Sequence, residues 1–141
     1  MILASEDIGN ADPQAICVAA AAAQAVERVG MPESQIILSQ AAAYMACAPK
    51  SNSAVNAIAA AMDSVKKTRT TVPVHLQDAH YGGHEKLGKG IGYQYAHNYP
   101  NHYVKQQYLP DAIKDKRYYK PGDNKFENSQ AQYWKAVKGE D

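Results

Sequence analysis

The chain has 141 residues and carries 15 basic and 14 acidic side chains, a formal net charge of +1, so it holds one domain with room for an appended subdomain. Ile, Leu, Val and Phe together number 23, about 16% of the chain; that fraction signals disorder when net charge is high, which is not the case here. Two cysteines cannot frame a secreted disulfide scaffold, no run of about 18 apolar residues predicts a membrane span, and the internal run Ala19–Ala23, flanked by Gln24 and Glu27, is no signal peptide.

Met1–Ile8 followed by Gly9 reads as the end of a helix whose start lies upstream of Met1, which suggests a chain cut from something longer. Asp12-Pro13 then places a preferred N-cap before a proline at the first helical position, and Gly30 supplies a stop, so a helix is predicted over 13–29. A second helix starts at Pro32, carries Glu33 in its first turn and ends before Pro49. A third, capped by Ser51 or Asn52, spaces Val55, Ile58, Met62 and Val65 by three, four and three, with Lys66 and Lys67 at its C-terminal end.

Near Thr68–Pro73 the composition changes. Residues 1–70 hold 19 of the 24 alanines and one tyrosine, whereas residues 71–141 hold nine tyrosines, all five histidines, the lone Trp and Phe, and seven of nine glycines. The division predicts a helical bundle core over 1–70 and an irregular aromatic-rich segment over 71–141 packed on it, one domain overall. Alanine at this density implies helices that approach closely, and the class expected is all-α. Within the second segment Asp78–Lys86 and Asp111–Lys116 are expected to form a turn or two each, and Asn124–Val137 a terminal helix with Phe126, Ala131 and Trp134 on one side.

The chemistry-bearing residues are few. His75, His80 and His84 lie near Asp78 and Glu85, but Gly82-Gly83 weakens any helix that would present His80 and His84 together, and no HExxH pattern occurs. No metal site is therefore assigned. Gly88-Lys89-Gly90-Ile91-Gly92 is not a phosphate loop, because the Walker spacing and the strand before it are missing. Cys17 and Cys47 are read as small buried hydrophobes with no charged neighbour to activate them, and Ser51 and Ser53 have no nucleophile elbow. Tyrosines interleaved with Lys86, Lys89, Lys105, Lys114, Lys116, Arg117 and Lys120 suit base stacking and phosphate contact, but the net charge of residues 71–141 is only +2. The plainer expectation is that the rings replace missing aliphatics, packing over the helices with hydroxyls outward.

Several blocks carry a family resemblance. Ala4-Ser5-Glu6-Asp7-Ile8-Gly9-Asn10-Ala11-Asp12-Pro13, Ala23–Glu33, Ala46–Asn52, Val72–Leu76, Gln107-Tyr108-Leu109-Pro110 and Arg117-Tyr118-Tyr119 occur in this order in the C-terminal domain of the bacterial replication-associated recombination, or maintenance-of-genome-stability, AAA+ ATPases. That family is related to the clamp loaders and has a Werner-helicase-interacting counterpart in eukaryotes. The resemblance implies a helical domain like the clamp-loader collar that assembles a homotetramer. It also implies a nucleotide site upstream of this chain, so that ATP and Mg belong to the parent protein and no cofactor or catalytic residue to the fragment. The expected partners are a second copy of the chain, DNA with single-stranded gaps or ends, and single-stranded-DNA-binding protein, at replication forks in the cytoplasm and with no membrane involved. One departure is local: the family often has glycine before the aromatic-Glu pair, where Lys125 precedes Phe126-Glu127 here.

The leading expectation is an assembly module of a DNA-dependent AAA+ ATPase, with Ala20, Ala23, Val55, Ile58 and Met62 as interface candidates. The alternative is a DNA-contacting module using Lys86, Lys89 and Arg117.

Overall fold

A computed structural model describes residues 1–77 and 90–140. Every regular element among them is helical, and the chain is all-α, as its alanine content and capping pattern predict. Four α-helices span Gln14–Val29 (α1), Ser34–Cys47 (α2), Ser53–Lys67 (α3) and Lys125–Lys138 (α4). A π-helical turn, Ala4–Ile8, precedes α1, and short 3-10 turns at Val74–Leu76, Ala96–Asn98, Pro100–His102 and Asp111–Ile113 punctuate the stretch before α4. The turns expected at Asp78–Lys86 lie outside the described residues.

The helix ends follow the capping residues. Asp12 Oδ1 accepts the Gln14 N–H at 3.1 Å, satisfying a donor that the first turn of α1 leaves unpaired. Gly30, at φ +76°, closes α1 by donating to Val26 O. Ser34 is fully buried at the corner, its hydroxyl donating to Val26 O at 3.3 Å. Ser51 Oγ accepts the Ser53 N–H at the start of α3, and Asn124 Oδ1 accepts the Glu127 N–H at the start of α4. Lys50 Nζ donates to Met45 O at 3.0 Å and to Ala48 O, where the carbonyls ending α2 favour a cation.

The chain forms two compact units. The first comprises Met1–Ala60 and Tyr118–Tyr133; the second comprises the described residues of Ala61–Arg117 and Trp134–Asp141. In the first, α1 packs against α2 and against the N-terminal turn, over a core of Ala4, Ile8 and Ala15 bordered by Ala19, Tyr44, Met45 and Ala48. Tyr44 OH donates to Asp12 Oδ2 at 2.6 Å, fastening α2 to the start of α1. Gly9 allows a close backbone approach: its φ is +50° and a Cβ there would sit 2.9 Å from Ser51 O, while Ser51 N donates to Asp7 O at 2.8 Å. In the second unit Val104 and Ile113 are buried, and Tyr103 meets Trp134 edge-on with centroids 6.1 Å apart.

Small residues take the inside positions. On α3 the buried or half-buried line runs through Ser53, Ala57, Ala61 and Ser64, whereas Ile58, Met62 and Val65 are exposed. Two expectations are corrected. Cys17 and Cys47 are exposed rather than buried, because alanines take much of the inner face of α1, and Ser34, Ile37, Ala41, Tyr44 and Met45 take that of α2. The tyrosines do not uniformly pack with hydroxyls outward: Tyr93, Tyr95, Tyr99 and Tyr108 are exposed, and Tyr119 turns its hydroxyl inward.

Candidate functional site

The most connected polar cluster lies in the first unit, around Glu127. This side chain is 1% exposed. The N-x-x-E pattern of Asn124–Glu127 puts it at the third position of α4, where a capping box turns a carboxylate back over the helix start. Ser53 Oγ and Tyr119 OH donate to Oε1, both at 2.5 Å, and Asn124 Nδ2 donates to Oε2 at 2.5 Å. Ser51 Oγ donates to Ser53 Oγ at 3.0 Å, and Asn10 Nδ2 donates to Tyr119 OH at 3.3 Å. Gly122 makes room, since a Cβ there would lie 2.8 Å from both Glu127 Oε2 and Ser51 Oγ.

Burial pushes the Glu127 carboxyl up, but hydrogen bonds from Ser51, Ser53, Tyr119 and Asn124 outweigh it and hold the pKa at about 2. A carboxylate so stabilised, with its donors already in place, is too weak a base to take a proton at neutral pH. Its effect is to tie the start of α3 to the start of α4 across 74 residues of sequence. The sequence reading missed it; the signal available was Asn124-x-x-Glu127 opening an amphipathic run.

Two exposed apolar surfaces belong to the same unit. Helix α2 has no charged residue, and Ile36, Ile37 and Leu38 are consecutive. At about 100° per residue those three side chains fan over roughly 200°, so α1 cannot cover them all. Ile36 is 74% exposed and Leu38 is exposed as well. The second surface is a shallow groove of about 330 Å³ between the N-terminal turn and α3, lined by Ile2, Ser5, Glu6, Ala54, Val55 and Ile58.

The interface candidates therefore fall in different settings. Ala20 and Ala23 are half-buried on α1; Val55 and Ile58 line the groove; Met62 is exposed further along α3. Among the DNA-contact candidates Arg117 is exposed in the second unit, and Lys86 and Lys89 lie outside the described residues, as do His80 and His84. His75 Nε2 donates to Gln107 O at 2.8 Å. It borders an open hollow of about 460 Å³ with Arg69, Thr70, Val72, Gln107 and Asp111. Among the described residues no group of three or more His, Cys, Asp or Glu is placed to hold a metal ion, and no helix is long and apolar enough to cross a membrane.

Comparison with known proteins matches residues 1–138 to the family described as MgsA AAA+ ATPase C terminal. The chain is 48% identical over 136 residues to replication-associated recombination protein A of Bacillus subtilis, covering 95% of this chain and 32% of that protein. It is 52% identical over 122 residues to an uncharacterized AAA domain-containing protein of Mycobacterium tuberculosis, covering 86% and 27%. The ATPase WRNIP1 of Dictyostelium discoideum is 41% identical over 119 residues, covering 83% of this chain and 14% of that one. The chain thus spans about a third or less of the length of these relatives.

Proposed function

The chain belongs to the MgsA AAA+ ATPase C-terminal family, and from that premise we propose that it is the assembly module of a DNA-dependent AAA+ ATPase, joining copies of itself into a homotetramer. The observation that carries this reading is α2, a helix with no charged residue whose apolar side chains spread around its circumference among Gln35, Ser39 and Gln40, yet largely exposed. A helix of that character is ordinarily enclosed, and a second copy supplies the missing cover in a closed symmetric assembly. The groove at Val55 and Ile58 supports the same reading, as does the small core: among the described residues only Ala4, Ile8, Ala11, Ala15, Val104 and Ile113 are buried apolar side chains.

In this reading ATP and Mg are bound by other parts of the parent protein, which acts in recombination and repair at replication forks in the cytoplasm. Its remaining partners are DNA with single-stranded gaps or ends and single-stranded-DNA-binding protein. The fragment supplies no catalytic group.

The test is size-exclusion chromatography with light scattering on the 141-residue chain without nucleotide. A multimer that Ile36→Glu dissociates is the expected outcome. A monodisperse monomer at tens of micromolar protein overturns the claim that this domain suffices for assembly.

A further inference from the structure

Between Gly90 and Pro110 the chain holds five tyrosines, two histidines, one lysine and no carboxylate. Two successive 3-10 turns, Ala96–Asn98 and Pro100–His102, shape this stretch within the second unit. Asn101 and His102 both adopt left-handed backbone, at φ +55° and +51°. That conformation is common for asparagine but unusual for histidine, so the loop bears a conformational cost. It sets His102 beside His97, with ring centroids 4.9 Å apart and planes tilted by 50°, and His97 in turn lies 5.0 Å from Tyr95 at a tilt of 45°, so each ring offers a face of its own rather than one flat surface.

The three rings form a file that faces water. Tyr95 is 54% exposed, and His97 and His102 are also exposed. Its base is braced rather than loose. Gln106 Nε2 donates to Gln94 O at 3.0 Å and to Tyr108 OH at 3.1 Å, and Tyr99 OH donates to Gln94 Oε1 at 2.9 Å. A preorganised aromatic surface binds flat π systems with little further ordering cost.

We infer that the Tyr95–His97–His102 file is a stacking platform for the bases of single-stranded nucleic acid. Bases in a duplex have their faces covered by their neighbours, so only unpaired ones can lie on these rings. The stretch itself carries no carboxylate, and Lys105, three residues after His102, is a cation near in sequence that could meet a phosphate. The site uses neither Lys86, Lys89 nor Arg117, and it neither needs nor excludes the assembly surface on α2.

The test uses the 141-residue chain and a fluorescent oligothymidylate of about twenty nucleotides, longer than the roughly 4–16-nucleotide sites of single-stranded binders. Anisotropy at low salt is expected to show binding that exceeds binding to the matching duplex. With few phosphates contacted, the log–log salt slope should stay near −0.7 to about −1.4, one or two counterions. Tyr95→Leu should weaken binding about tenfold while Tyr95→Phe, which keeps the ring, stays near the wild type. His97→Leu should weaken it independently, and this variant decides the matter if Tyr95→Leu changes the far-UV circular dichroism. The inference is overturned by absence of binding at low salt, by equal affinity for duplex, by Leu variants that bind as the wild type does, or by Tyr95→Phe losing as much as Tyr95→Leu.

Discussion

Glu127 illustrates how a buried charge is made tolerable at the level of one residue. Desolvation alone would raise its pKa; the hydrogen-bonded cluster of Ser51, Ser53, Tyr119 and Asn124 keeps it ionised with a pKa of about 2. Because the folded value lies below the usual carboxylate range, the stabilisation is present above about pH 4.5 and fades as the pH falls toward 2. At 1.36 kcal/mol per pKa unit its full size is on the order of 3 kcal/mol. Glu127→Gln, which keeps the shape but sets an amide donor against the Ser53, Tyr119 and Asn124 donors, should lower the urea midpoint at neutral pH. The gap to the wild type should narrow below about pH 4.5; a constant gap down to pH 2.5 would contradict the account. Gly9→Ala tests the neighbouring contact, since a Cβ would meet the Ser51 carbonyl at 2.9 Å on a residue at φ +50°. A loss of at least about 1 kcal/mol is expected by thermal unfolding.

At the scale of elements, the notable arrangement is small residues inside and large ones outside. Ala4, Ala11 and Ala15 are buried while Ile2, Leu3, Ile16 and Ile36 are exposed. Alanine lets α1, α2 and the N-terminal turn approach closely, and the cost is a core with little apolar area per residue. Ala15→Leu should destabilise by about 1–3 kcal/mol through overpacking against Ile8. Ala20→Leu and Ala23→Leu, at half-buried positions on α1, should either lower the melting temperature or dissociate the multimer. If both raise the melting temperature and leave the mass unchanged, the close-packing account of α1 is wrong.

For the molecule as a whole, folding and association should be linked. A chain that buries, among its described residues, only Ile8, Val104 and Ile113 as apolar side chains larger than alanine gains a larger share of its stability from surface covered between copies. The melting temperature should therefore rise with protein concentration for the wild type, and Ile36→Glu should abolish that dependence while leaving the helical circular dichroism signal in place. A concentration-independent melting temperature in the wild type would separate folding from assembly.

Local chemistry is what a sequence states directly. Asp12-Pro13, Gly30, Pro32, Pro49, Ser51 and Lys66-Lys67 mark helix ends because caps and prolines act within a turn of their position, and α1 to α3 begin and end within about two residues of those marks. The ordered blocks from Ala4 to Tyr119 likewise suffice to identify the family. Which face of a helix lies inside is a different matter. The 3-4-3 spacing of Val55, Ile58, Met62 and Val65 defines a stripe but not its partner, and in this chain Ser53, Ala57, Ala61 and Ser64 take the inner side of α3 instead. The Glu127 cluster draws Asn10, Ser51, Ser53, Tyr119 and Asn124 from three stretches of the chain, and the Tyr95–His97–His102 file depends on two left-handed residues after Pro100. Neither is encoded at a fixed spacing. Both arise where tertiary packing sets the relative positions of segments, because burial and ring contact depend on distances in space that sequence separation does not determine.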